Sequence, residues 1–159
     1  MNNKKRYNQL KFSISNYICM LEIDREKYLN SLSKDLIKEL IDFFGWAENS
    51  SDIKVVILYG SGEKSFVAGA DIKEMSKLDY NHDSAKKYSV LGQKLTLKIE
   101  NLSKPVIAAI HGACVGGGLA LVSACDMRFT TTNSFFQIKI APRTSCTIEK
   151  KFIHVNMYW

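Results

Sequence analysis

The four cysteines Cys19, Cys114, Cys125 and Cys146 form no CxxC pair, and no histidine stands at zinc-ligand spacing from any of them. That argues against a metal site and for reduced, small hydrophobic cysteines in a cytoplasmic protein. A membrane span is missing too. No stretch approaches the roughly 18 apolar residues needed to cross a bilayer, and no apolar leader follows the basic start NNKKR. Charge of one sign is never gathered into a block. The formal net charge is +6, yet the lysines and arginines are interleaved with acids. Neither an RNP-type aromatic motif nor an arginine-rich helix occurs, so no nucleic-acid partner is expected. Proline is scarce, at two residues, and no low-complexity linker or internal repeat divides the chain. What remains is a soluble single domain, for which 159 residues with 46% hydrophobic side chains can bury a core.

The apolar residues that are present have a readable order. LKFSISNYICMLEI (10–23) is two partly alternating runs split by Ser15-Asn16, which predicts a hairpin. In SLSKDLIKELIDFFGWAEN the residues Leu32, Leu36, Ile37, Leu40, Ile41 and Phe44 share one helical stripe, with Ser33 as N-cap. IKVVILYGSG (53–62) is almost continuously apolar, which predicts a strand buried on both faces. DSAKKYSVLGQKLTLKIENL (83–102) predicts a second helix capped by Asp83 or Ser84. KPVIAAIHG gives another buried strand, GGLALVSACD a short apolar helix, and MRFTTTNSFFQI a strand with a turn. Strands alternating with helices indicate an α/β domain with covered sheets.

Glycine is also sparse, with nine residues, yet three stand together at Gly116, Gly117 and Gly118. Glycine costs backbone entropy and adds no packing, so bare backbone must be needed there. Two buried strands end in this kind of chemistry: one runs on through EKSFVAGADIKEM (63–75), the other through ACVGGGLAL. Each passes a glycine and enters a segment whose first N–H groups lack helical partners. Brought together, two such ends would offer paired donors to a developing oxyanion, such as a thioester carbonyl becoming an enolate. GACVGGG matches neither GxGxxG nor GxxxxGK[ST], which speaks against a phosphate loop. From the glycines alone, ligand binding and tight helix packing both stay open.

SFVAGADIKEM followed by KPVIAAIHGACVGGGLALVSACDMRF resembles the enoyl-CoA hydratase/isomerase family, the crotonases, over residues 10–138. Residues 1–9 then form an N-terminal arm and 139–159 a tail outside the similarity. The resemblance implies an α/β crotonase-like spiral of strand-strand-helix repeats, incomplete at its C-terminal end. It implies an acyl-CoA thioester as ligand, coenzyme A being part of the substrate and no further cofactor needed, and assembly as a homotrimer or hexamer. Carried over by position, the oxyanion-hole donors are the N–H groups of Ala70 and Gly117. Ala68, Ala70, Asp71, Ile72, Lys73, Gly116 and Gly117 fall at substrate-contacting positions. Lys27 and Lys73 have two readings, as contacts to the coenzyme phosphates or as solvated surface lysines. Asp126 reads as a structural hydrogen-bonding acid and His111 as a packed strand end, while His82 in a polar loop and His154 in the tail have no evident partner.

The chain departs from the family where proton transfer is done. Hydration of a 2-enoyl thioester needs an acid and a base, supplied in the hydratases by two glutamates. The matching positions hold Ala120 and Ile140, which implies no turnover by this chain alone. ACDMRF and FFQIK also resemble the dienoyl-CoA isomerase branch, which normally has an acid where Ala120 stands. The tail IAPRTSCTIEKKFIHVNMYW has neither glycine nor family resemblance, and its onset suggests a shifted or truncated reading frame. The expected function is therefore that of an enoyl-CoA hydratase/isomerase-family protein in fatty acid β-oxidation. The alternative is a non-catalytic acyl-CoA-binding or interaction protein.

Overall fold

Asn16 and Tyr17, both at positive φ, turn the chain between β1 (Leu10–Ser15) and β2 (Ile18–Ile23). The two strands pair antiparallel from Leu10 opposite Ile23 to Ser15 opposite Ile18. This is the expected hairpin, its turn one residue later than Ser15-Asn16. The computed structural model describes residues 5–76 and 82–138. Ile140 and His154 lie outside the described residues, as do residues 1–4 of the arm.

After the hairpin and a short 3-10 turn (Glu26–Tyr28), Ser33 starts α1 (Lys34–Asn49). The Ser33 Oγ accepts a hydrogen bond from the Leu36 N–H at 3.1 Å, satisfying one of the donors that a helix start leaves unpaired. The helix buries Leu36, Ile37, Leu40, Phe43, Phe44 and Ala47. Phe43 lies outside the predicted stripe, and is covered because Tyr7 and Phe12 meet it edge-on and Trp46 at a tilt, with ring centroids 5.5–6.2 Å away. Next come β3 (Val55–Gly60), β4 (Ser65–Val67), α2 (Ile72–Ser76) and α3 (His82–Glu100). The last of these begins at His82, so that histidine is helical, and Asp83 and Ser84 stand inside the first turn instead of capping it. Then follow β5 (Val106–Ile110), β6 (Ala113–Val115), α4 (Gly117–Ser123), β7 (Met127–Thr130) and β8 (Phe135–Gln137).

The strands sort into two sheets, in the orders β1-β2-β3-β5-β7 and β4-β6-β8. From β3 onward they come in pairs, the first of each pair joining the larger sheet and the second the smaller. This is the strand-strand-helix repetition implied by the resemblance. The segment expected as one strand with a turn is two strands in different sheets.

Parallel register places Val56 and Leu58 of β3 beside Val106 and Ala108 of β5, and this face is buried against α1 and α3. Each Leu, Ile or Phe fully buried there contributes about 1.5–3 kcal/mol of transfer free energy. β3 is not buried on both faces: Val55, Ile57 and Tyr59 are half-buried, since no helix among the described residues covers that side. Asp126 ties the layers together. Its carboxylate accepts from the Val106 N–H at 2.7 Å and its own N–H donates to the Val106 carbonyl at 2.9 Å, the structural role expected of it. His111 follows β5 half-buried, with no hydrogen-bond partner for its buried Nε2 among the described residues.

Candidate functional site

The centre of the site is a short parallel bridge between Leu32, just ahead of α1, and Ala70, just ahead of α2. The Leu32 N–H donates to the Gly69 carbonyl at 2.7 Å, and the Asp71 N–H donates to the Leu32 carbonyl at 2.9 Å. In such a bridge the residues flanking Ala70 make the bonds, so the Ala70 N–H is turned to the opposite side. The same stretch is held again by the Ala68 N–H on the Leu29 carbonyl, at 3.1 Å, and by the Tyr88 hydroxyl on the Leu32 carbonyl, at 2.6 Å. Burial, followed by the nearby Glu74 and Asp71 carboxylates, pushes the Tyr88 phenol up to about 12, so it stays a donor at neutral pH.

Gly117 approaches this loop from β6 and opens α4. Its N–H is one of the donors that a helix start leaves without an intrahelical partner. A methyl group built on Gly117 would lie 3.7 Å from the Ala70 nitrogen and 3.0 Å from Leu32 Cδ1, and one on Gly69 would lie 4.0 Å from the Gly117 nitrogen. The Ala70 and Gly117 main chains therefore lie side by side, and neither N–H has a hydrogen-bond partner among the described residues. The three consecutive glycines are needed for different reasons. Gly116 adopts a φ of +52°, which side chains rarely tolerate, and a methyl on Gly118 would come 2.4 Å from the Val67 carbonyl oxygen. Of the two readings left open by the sequence, tight packing holds at Gly118.

Two recesses flank this stretch, the larger touching it through Ser33 and Asp71 and the smaller through Gly117. One, of about 740 Å³, is lined by Arg25, Lys27, Tyr28, Asp71 and Lys73 among others. The other, of about 250 Å³ and mostly apolar, lies between α3 and α4 and is lined by Gly92, Gln93, Thr96, Gly117 and Ala120 among others. Ala68 is half-buried, Ile72 is 77% exposed, and Lys27 and Lys73 are exposed on the rim of the larger recess. Ala120 presents only a methyl group to the smaller one.

Asp71 engages its side chain within the protein. The carboxylate is buried and ion-paired: Oδ2 accepts from Arg25 Nη2 at 2.9 Å and Oδ1 from the Glu74 N–H at 3.1 Å. Burial alone would raise its pKa, but the Arg25 bond and the α2 N–H groups outweigh it and hold the group below the usual carboxylate range. Arg25 and Leu32 were invisible as site residues in the sequence. Arg25 pairs across 46 positions and belongs to no motif, and Leu32 acts through its main chain.

Comparison with known proteins identifies the family. The family model described as enoyl-CoA hydratase/isomerase matches residues 13–141. The chain is 44% identical over 119 residues to the short-chain-enoyl-CoA hydratase of Clostridium acetobutylicum, covering 75% of this chain and 45% of the relative. It is 36% identical over 140 residues to the mitochondrial Δ(3,5)-Δ(2,4)-dienoyl-CoA isomerase of Mus musculus, covering 80% and 41%. The crystal structure of an enoyl-CoA hydratase from Bacillus anthracis superposes with a TM-score of 0.79 at 32% identity, over 82% of this chain and 50% of that one. The chain thus spans about half the length of the curated relatives it matches. No helix among the described residues is long and apolar enough to cross a membrane. By fold and by similarity along most of its length, the chain belongs to the enoyl-CoA hydratase/isomerase family.

Proposed function

We propose that the protein binds enoyl-CoA thioesters of fatty acid β-oxidation, polarising the thioester carbonyl between the Ala70 and Gly117 N–H groups. The observation that carries this reading is that those two donors, from distant parts of the chain, stand close together with no hydrogen-bond partner among the described residues. A carbonyl oxygen placed there gains most as it becomes an enolate, because the donors are held in place before charge develops. The coenzyme then runs past Ala68, Asp71, Ile72 and Gly116 into the larger recess. There Lys27 and Lys73 are free to meet its phosphates, and the acyl group enters the apolar recess beside Ala120. Coenzyme A arrives as part of the substrate, with no other cofactor required.

Hydration also needs a proton delivered to the α-carbon and water activated for the β-carbon. Ala120 can do neither. We therefore read the chain alone as a thioester binder that activates the carbonyl without completing hydration. A trimer or hexamer and a reducing, cytoplasmic setting complete the proposal. The latter is supported by Cys19, Cys114 and Cys125, all buried free thiols whose pKa values burial raises to about 12. Calorimetric titration with crotonyl-CoA and with free coenzyme A is the test. Tighter binding of the thioester, with a lowered infrared carbonyl stretch for the bound form, is expected. Equal affinity for the two, or an unshifted carbonyl, would remove the reading.

A further inference from the structure

We infer that Arg25 is a positioning residue for the oxyanion site, holding the Ala70 N–H in place and neutralising the carboxylate beside it. This rests on the reading of Ala70 and Gly117 as carbonyl donors. Arg25 itself contacts neither.

The loop that carries Ala70 is not rigid by its own composition. Gly69, immediately before it, sits at a φ of +98°, a residue with many alternative conformations available. The Leu32 bridge and the Ala68 N–H on Leu29 hold the loop by main-chain bonds, and Arg25 adds a side-chain anchor. One Arg25 nitrogen, Nη2, reaches Asp71 Oδ2 at 2.9 Å, while the other, Nη1, donates to the Ser31 carbonyl and lies 3.3 Å from the Ser31 hydroxyl. Ser31 precedes Leu32 and Asp71 follows Ala70, so one guanidinium braces both strands of the bridge beside the donor. The planar fork of arginine suits that double contact.

Arg25 is itself held. Its N–H donates to Asn30 Oδ1 at 3.1 Å, and the fully buried Asn30 amide donates to the carbonyls of Ser61 and Ser65 at 2.9 and 2.7 Å. The guanidinium also lies over the Tyr28 ring, 4.7 Å from its centroid. A side chain so restrained can hold its neighbour to the sub-ångström tolerance that a preorganised donor needs.

Charge gives a second reason. Asp71 follows directly after the donor, and an unpaired carboxylate there would oppose negative charge growing on a bound carbonyl oxygen. With exposures of 11% and 9%, the Arg25 and Asp71 side chains are shielded from solvent, so the pairing is screened little by salt.

The test uses the full chain and crotonyl-CoA labelled with ¹³C at the thioester carbonyl, read by infrared difference spectroscopy alongside the melting temperature. Wild type is measured first. Failure to bind, or no carbonyl downshift, defeats the functional reading and this inference with it. Given a wild-type downshift, R25M is expected to lose at least about half of it, and R25K, which keeps the charge but not the fork, to recover part. The double variant R25M/D71N has no buried charge left unpaired and serves if R25M does not fold. It is expected to bind with a smaller downshift than wild type, the loop being unbraced. A full wild-type downshift in bound R25M or in the double variant, whatever their melting temperatures, would overturn the inference, since a merely structural ion pair changes stability and leaves the bound carbonyl alone.

Discussion

Gly117 and Gly118 are neighbours, yet a single added methyl group separates their roles. In G117A the methyl would enter the space between the donors, 3.7 Å from the Ala70 nitrogen, and meet only the end of the Leu32 side chain. The fold should persist while the carbonyl downshift of bound crotonyl-CoA disappears. Where turnover exists, losing such stabilisation costs about 10²-fold or more. In G118A the methyl would meet the Val67 carbonyl, which is fixed backbone, so unfolding experiments should show a loss of about 1–3 kcal/mol. Loss of binding in G118A with unchanged stability would contradict this division. Asp71 gives a prediction in pH. Its folded pKa is depressed, so its stabilising contribution is complete above the unfolded value of about 4 and lost as pH falls below that, through the folded value. The stability gap between wild type and D71N should therefore be largest near neutrality and shrink in acid. A gap independent of pH would show that the pairing with Arg25 is not its source.

At the scale of elements, local rules govern wherever a signal sits within a few residues. Ser33 is an example: S33A removes the cap on Leu36 and the hydroxyl bond to Gln9, and should cost about 1 kcal/mol in urea denaturation. No measurable change would mean that neighbouring donors replace it. The hairpin, α1, β3, β5 and α4 were legible in the same way, from alternation, helical stripes and glycine punctuation. The elements missed are those created by pairing at a distance. β4 is three residues long and acquires strand geometry because Ser65 and Val67 bond alongside Ala113 and Cys114 of β6. β8 depends likewise on β6. The site divides along the same line. Ala70 and Gly117 were visible because glycine chemistry surrounds them and a specific motif carries them. Their support by Arg25, Leu32 and Tyr88 was not, because the Arg25–Asp71, Leu32–Gly69 and Tyr88–Leu32 contacts join residues far apart in sequence and the last two end on main-chain carbonyls.

On the scale of the whole molecule, the side of the larger sheet that no described helix covers bears on its behaviour in solution. Register lines up Met20, Ile57, Ile107 and Met127 across four neighbouring strands, with Phe129 one step further along β7. Met127 is 49% exposed and Phe129 55%, and β7 is an edge strand whose outer hydrogen-bonding groups have no strand partner among the described residues. An apolar row ending at an unpaired edge favours association, because covering it removes hydrocarbon from water and pairs the edge at once. The smaller sheet behaves alike: Phe135 of β8, also an edge strand, is 54% exposed. The isolated chain is therefore expected to bind a hydrophobic dye and to self-associate as concentration rises in sedimentation experiments. F129K, on the exposed face of β7 and outside both recesses, should weaken both effects without altering crotonyl-CoA binding. A wild-type chain that stays monomeric, dye-free and cooperatively folded would mean that this face is already covered. Self-association unchanged in F129K would place the contact elsewhere, with the β8 edge the next surface to substitute.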